Sequence, residues 1–137
     1  MEKIAVDVTG VRVTALITQY LRWLDSRDRR SILGDTWADG VTRRLGFDSS
    51  GFRSMGYTRF TIAARSRLLD EWVTRFLADN PGGIVVDLGP GFDSRVFRVD
   101  PGPGHHWYDV DFPDLVAVRD RLYPERMGNN PTPSRDV

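Results

Sequence analysis

Apolar residues recur in three distinct rhythms. Within residues 11–27, Val13, Leu16, Ile17, Tyr20, Leu21 and Leu24 recur at steps of three and four, which places them on one face of a helix. Residues 28–56 lose this rhythm. Gly34, Gly40, Gly46, Gly51 and Gly56 punctuate a charged stretch, predicting short helical pieces around Trp37 and Leu45 joined by turns. Across residues 57–79, Phe60, Ala64, Leu68, Trp72 and Phe76 repeat every four residues, predicting a long helix with that stripe as its apolar face. Asn80, Pro81, Gly82 and Gly83 end it.

The rhythm then changes to a short β-branched run. Residues 84–88, IVVDL, are bounded by glycines and read as a buried strand of a parallel sheet. After Gly89, Pro90 and Gly91, residues 92–99 suit a short helix, and residues 100–104 form another turn. A second strand is predicted at residues 106–110, followed by a helix that tolerates Pro113 in its first turn and carries Leu115, Val116, Val118 and Leu122 as its stripe. Strand, helix, strand, helix is a βαβ unit, so the fold class is α/β. The chain is expected to divide into a helical N-terminal cap over residues 1–56, the first half of a βαβ-built α/β domain over 57–127, and an unstructured tail over 128–137, rich in Asn and Pro without periodicity. Two strands alone are marginal in water, so either the chain is a truncated piece or a partner or second copy completes the sheet.

Composition narrows the function classes. At 137 residues and 40% hydrophobic, the chain has the length expected of one domain and enough apolar residues to bury a core. Nineteen basic and nineteen acidic residues give no net charge, which argues against a nucleic-acid or anionic-membrane binder. The chain has no cysteine, so disulfides, thiolate metal sites and a cysteine nucleophile are excluded. The adjacent His105 and His106 would point to opposite faces of a strand, which is unsuited to chelating one metal. No secretory leader or apolar run long enough to span a membrane is visible, and a cytoplasmic protein is expected.

The chemistry concentrates in residues 85–95, VVDLGPGFDSR. Gly89 and Gly91 stand at the carboxyl end of a predicted strand, where missing side chains let backbone amides approach a ligand. Twenty residues after Gly91 comes Asp111, placed at the end of the next strand to accept ribose hydroxyls. An ordinary strand-to-helix turn accounts for the glycines alone. The acid at this spacing favours an adenosine site. The run departs from the dinucleotide pattern at its third glycine, replaced by Ser94, and Asp93 would repel a pyrophosphate. A carboxylate there suits a cationic ligand such as the sulfonium and ammonium of S-adenosylmethionine. A nicotinamide-linked oxidoreductase and a non-catalytic element that folds with a partner are the alternatives.

Residues 85–100 and 107–124 together resemble the leucine carboxyl methyltransferase family, which includes polyketide O-methyltransferases. The shared pattern is L-G-x-G-x-D-[TS]-R-x-x-R, then a second strand ending in V-D-x-P; here these are Leu88, Gly89, Gly91, Asp93, Ser94, Arg95, Arg98, Val110, Asp111 and Pro113. Upstream, AARSRLLDEWV resembles the family's Arg-containing helix. The resemblance implies a Rossmann-like class I methyltransferase fold, here incomplete, comprising the N-terminal helices and first βαβ unit. It implies S-adenosylmethionine as cofactor and O-methyl transfer to a carboxylate or hydroxyl of a small molecule or peptide terminus. It further implies that Arg65 binds the methionine carboxylate, Gly89 contacts the cofactor and Asp111 holds the ribose.

Overall fold

Helix α1 (Val13–Ser26) forms where the spacing of three and four predicts it, burying Leu16, Tyr20 and Leu21. The computed structural model describes residues 2–124 and the backbone of Arg135–Asp136. The chain divides into two compact units, Met1–Leu69 and Asp70–Val137.

In the first unit, Tyr20 and Leu21 pack with Ile62, and Ile17, Trp23, Leu24, Phe47 and Phe52 close around them. Polar side chains on α1 organise the segment after it. Gln19 donates to the Ala38 carbonyl at 3.2 Å, attaching α2 (Ala38–Arg44). Asp25 is buried yet satisfied, accepting from the Ile32 and Leu33 amides at 3.0 Å each and from the Ser31 hydroxyl at 2.7 Å. Of the helical pieces expected around Trp37 and Leu45, the first is α2, while Leu45 is corrected: its backbone is extended and bridges Ile4, and a 3-10 helix, Ser50–Thr58, follows and leads into α3 (Arg59–Asp79).

The predicted apolar face of α3 is corrected. Phe60, Leu68, Trp72 and Phe76 are 44–55% exposed, and Ala64 is exposed as well. The covered stripe is Ile62, Ser66, Leu69, Val73 and Leu77, fully or half buried. Four residues turn a helix by about 400°, so a strict repeat of four drifts roughly 40° per step and sweeps around the axis. A stripe mixing steps of three and four stays on one side.

In the second unit, β1 (Ile84–Leu88) pairs in parallel with β2 (His106–Asp111), Ile84 opposite His106 and Leu88 opposite Val110. Between them lies α4 (Arg95–Val99), and α5 (Pro113–Leu122) follows β2 with Pro113 in its first turn. Buried Trp107, Asp109 and Asp111 alternate along β2 and therefore share one face. A third strand, β3 (Arg135–Asp136), pairs in parallel with Val110 and Asp111, giving the order β1-β2-β3. This corrects the expectation of two strands with residues 135–136 in an unstructured tail, since two residues carry no periodicity. Residues 128–134 and 137 of that tail lie outside the described residues.

The expectation that β1 is a buried strand is also corrected. Ile84, Val86 and Leu88 are 53–75% exposed on one face, and Val85 and Asp87 are half buried on the other. A parallel strand reads as continuously apolar because it is normally covered on both sides. Here β1 stands at the end of the strand order, and the described residues leave one of its faces uncovered. No helix among the described residues is long and apolar enough to cross a membrane.

Candidate functional site

The end of β1 stays attached to β2 because the Gly89 amide donates to the Val110 carbonyl at 2.8 Å. The chain then bends through Gly89 (φ +64°) and Gly91 (φ +55°), left-handed values that glycine adopts without steric cost. A Cβ on Gly89 would meet no atom within 4 Å, so the backbone there borders open space. A ligand can approach it closely.

Asp111 turns its carboxylate to this bend. One oxygen accepts the Gly91 amide at 2.8 Å and the other accepts the Phe112 amide at 2.8 Å. The twenty-residue spacing thus becomes direct contact between the glycine bend and the acid ending the next strand. Each carboxylate oxygen accepts from one backbone amide and has a second lone pair that a hydroxyl can use.

Asp93, expected to offer its charge to a cationic ligand, also has arginine partners. It is buried, with one oxygen 2.7 Å from Arg98 Nη1 and the other 3.4 Å from Arg95 Nη2. Its charge is matched inside the loop. The two arginines extend the network: Arg95 reaches Asp70 of α3 at 3.0 Å and Asp87 of β1 at 3.1 Å, and Arg98 reaches Asp70 at 2.6 Å and the Ser94 hydroxyl at 2.8 Å. Three carboxylates from α3, β1 and the loop therefore converge on two guanidiniums, fixing where α4 begins. Proximity in sequence offers Asp93, Asp100 and Asp109 as partners for these arginines; Asp93 takes that role, and Asp109 pairs with Arg119 at 2.8 Å.

The balance of charge in this network is uneven. Burial raises the Asp87 carboxyl above the ordinary aspartate range, and the Arg95 guanidinium offsets this only in part while the Asp93 charge adds to it. Burial opposes the Arg95 charge too, but Asp93, Asp87 and Asp70 together hold its pKa above the usual value. For Asp87 the folded-state pKa exceeds the unfolded one. Its contribution to stability is complete below the unfolded value and is lost as pH rises through the folded value. An Asp87→Asn variant, neutral at every pH, should therefore gain stability relative to wild type as pH rises from below the ordinary aspartate pKa into the neutral range. Urea denaturation across that range checks the sign, and a difference that stays flat or falls with pH contradicts it.

Arg65 belongs to the other unit, on an exposed position of α3. Three residues of the second unit went unrecognised in the sequence. Asp70 is one, anchoring both loop arginines. Arg119 and Tyr123 bind the loop's backbone: Arg119 Nη1 donates to the Gly91 and Asp93 carbonyls at 3.1 and 2.6 Å, and the Tyr123 hydroxyl donates to the Phe92 carbonyl at 2.7 Å. A signal for Arg119 was present. It occupies a core position of the α5 stripe, with Leu115, Val116 and Leu122, and is 2% exposed. A charged residue on such a stripe implies a buried acid partner.

The chain is thus a parallel α/β protein whose glycine bend and strand-ending acid meet at the carboxyl ends of β1 and β2. It belongs to the leucine carboxyl methyltransferase family, whose pattern matches residues 15–137. It is 44% identical over 123 residues to the tetracenomycin polyketide synthesis O-methyltransferase TcmP of Streptomyces glaucescens, covering 90% of this chain and 46% of that protein. It is 31% identical over 150 residues to the S-adenosyl-L-methionine-dependent methyltransferase dpfgK of Gibberella zeae, covering 98% of this chain and 47% of that protein. A putative S-adenosyl-L-methionine-dependent methyltransferase of Saccharopolyspora erythraea is 28% identical over 120 residues, covering 82% of this chain and 42% of that protein. The chain spans about half the length of the curated relatives it matches.

Proposed function

We propose that this chain supplies the cofactor-binding portion of a cytoplasmic S-adenosylmethionine-dependent O-methyltransferase with a Rossmann-like core, acting on a carboxylate or hydroxyl of a small molecule or peptide terminus. The observation that carries this reading is the 2.8 Å hydrogen bond from the Gly91 amide to Asp111, which joins the bend and the acid in one place. Membership of the family and the names of the relatives support the cofactor. Bound there, S-adenosylmethionine would supply a methyl group already activated by its sulfonium.

The protein's own part is positioning. Asp111 would accept the ribose hydroxyls through its remaining lone pairs. Gly89, with open space where a side chain would stand, would let the cofactor lie against the backbone. Gly91 would present its amide side toward Asp111, Asp93 would hold the loop through Arg95 and Arg98, and Arg65 would receive the methionine carboxylate. An acceptor carboxylate needs no general base, since it is ionised at neutral pH. The acceptor would reach the methyl group over the carboxyl ends of the strands, where parallel α/β sheets bind ligands.

The uncovered apolar face of β1 supports a second element of the proposal: catalysis requires further strands and helices beside β1, as in a complete sheet. Calorimetric titration of the purified chain with S-adenosylhomocysteine should give saturable binding at one site. The same titration with NAD should give none. Failure to bind the adenosyl ligand, both alone and mixed with the second half of the Streptomyces glaucescens relative, overturns the reading.

A further inference from the structure

Three successive carbonyls of the loop, those of Gly91, Phe92 and Asp93, all face α5 and the residue after it. Arg119 takes the first and third, and Tyr123 takes the second. The Arg119 guanidinium lies 5.1 Å from the centre of the Tyr123 ring, and its Nε donates to Asp109 at 2.8 Å. Asp109 in turn accepts from the Trp107 indole at 2.9 Å. Trp107 and Asp109 are completely buried, and Arg119 and Tyr123 are 2% exposed.

A buried ion pair is an inefficient way to stabilise a fold, since apolar residues of similar volume often serve as well or better. Its geometry specifies what packing cannot. Each peptide plane has a carbonyl side and an amide side, and turning one plane over exchanges them. With the three carbonyls held toward α5 and the Gly91 amide held by Asp111, the loop has one orientation. A flipped plane would turn a carbonyl lone pair to where an amide donor stood, repelling a ligand carboxylate, and would take one carbonyl away from Arg119 or Tyr123 in the core, at a cost.

We propose that Arg119 and Tyr123, set in place by the Asp109 and Trp107 relay, are positioning residues that lock the peptide planes of the 91–93 segment in the orientation the cofactor requires. This inference rests on the proposed adenosyl site. The locked loop binds without first having to be ordered, so the lock should appear in affinity.

The test uses two mild variants. Tyr123→Phe removes only a hydroxyl and keeps the ring beside Phe97. Arg119→Lys keeps a positive charge, but its single ammonium cannot do what the planar guanidinium does, holding Asp109 through Nε and both carbonyls through Nη1 at once. Both are titrated with S-adenosylhomocysteine, and amide hydrogen exchange is followed in the free chains. Tyr123→Phe should bind about fivefold more weakly and Arg119→Lys about tenfold, as expected for loss of one neutral and one charge-assisted hydrogen bond. Amides of residues 91–94 should exchange faster in both, amides of β1 and β2 should be unchanged, and saturating ligand should restore loop protection.

Wild-type affinity and unchanged loop exchange in both variants would overturn the inference. Accelerated exchange throughout the second unit would also overturn it, because that result describes a merely structural role. If wild type itself fails to bind, the proposed function fails instead, and selective loop exchange alone decides whether the lock exists.

Discussion

Asp111→Asn is expected to weaken S-adenosylhomocysteine binding about a hundredfold, the largest effect on affinity of any single change in the second unit. In the native chain the carboxylate accepts the Gly91 and Phe112 amides at 2.8 Å each, and its remaining lone pairs would receive the ribose. Charge-assisted hydrogen bonds contribute roughly 1.5–3 kcal/mol each, and an amide side chain retains only one accepting oxygen. A loss of about 2.7 kcal/mol corresponds to two powers of ten in affinity.

Weaker binding by itself does not separate a ribose contact from loss of the bend's anchor. A thermodynamic cycle does. Wild type and Asp111→Asn are each titrated with S-adenosylhomocysteine and with its 2′-deoxy analogue. The analogue should bind wild type more weakly, and most of that penalty should vanish in the variant, giving a coupling energy of about 1 kcal/mol or more. Equal penalties in both proteins would show that Asp111 acts only through the loop.

Asp109→Ala should cause the largest loss of stability. The side chain is completely buried and joins Arg119 to Trp107, so truncation leaves a buried guanidinium without its carboxylate and removes the acceptor that the Trp107 indole uses. Breaking a buried pair from one side costs about 3–5 kcal/mol, a large share of the stability of a small protein. Urea denaturation followed by tryptophan fluorescence should report a transition at much lower denaturant, or none. The double replacement Asp109→Leu with Arg119→Met should recover most of the lost stability, since it leaves no buried charge, while keeping the loop unlocked. A cost below about 1 kcal/mol for Asp109→Ala would mean that the ion pair is incidental to the unit.

The parts of the molecule legible in sequence are those set by local chemistry. The steps of three and four in α1 place its buried face correctly, since both the helix and its stripe follow from neighbours within two turns. The β-branched run at residues 84–88, the glycines after it and Pro113 in the first turn of α5 mark the βαβ unit for the same reason. The α3 stripe misleads because two apolar sets lie on that helix, Phe60 to Phe76 and Ile62 to Leu77, and which one is covered depends on what packs against it. Propensity cannot choose between them. The short strand Arg135–Asp136 leaves no trace in the pattern because its pairing to β2 is made over more than twenty residues of chain.

The order of the central elements, the glycine bend after the first strand and the acid twenty residues beyond it can all be read from the chain alone. These follow from backbone conformational preferences and from spacing, which act over a few residues. The partners of the charges can be read only from the folded molecule. That Arg95 and Arg98 stand on the two oxygens of Asp93, and that the Gly91 and Asp93 carbonyls stand on Arg119, is decided only when the chain folds. A carboxylate or guanidinium is strongly attracted to any opposite charge in a low-dielectric interior, and many arginines and acids compete for partners along this chain. Burial and distance select among them, and both arise only when remote segments meet.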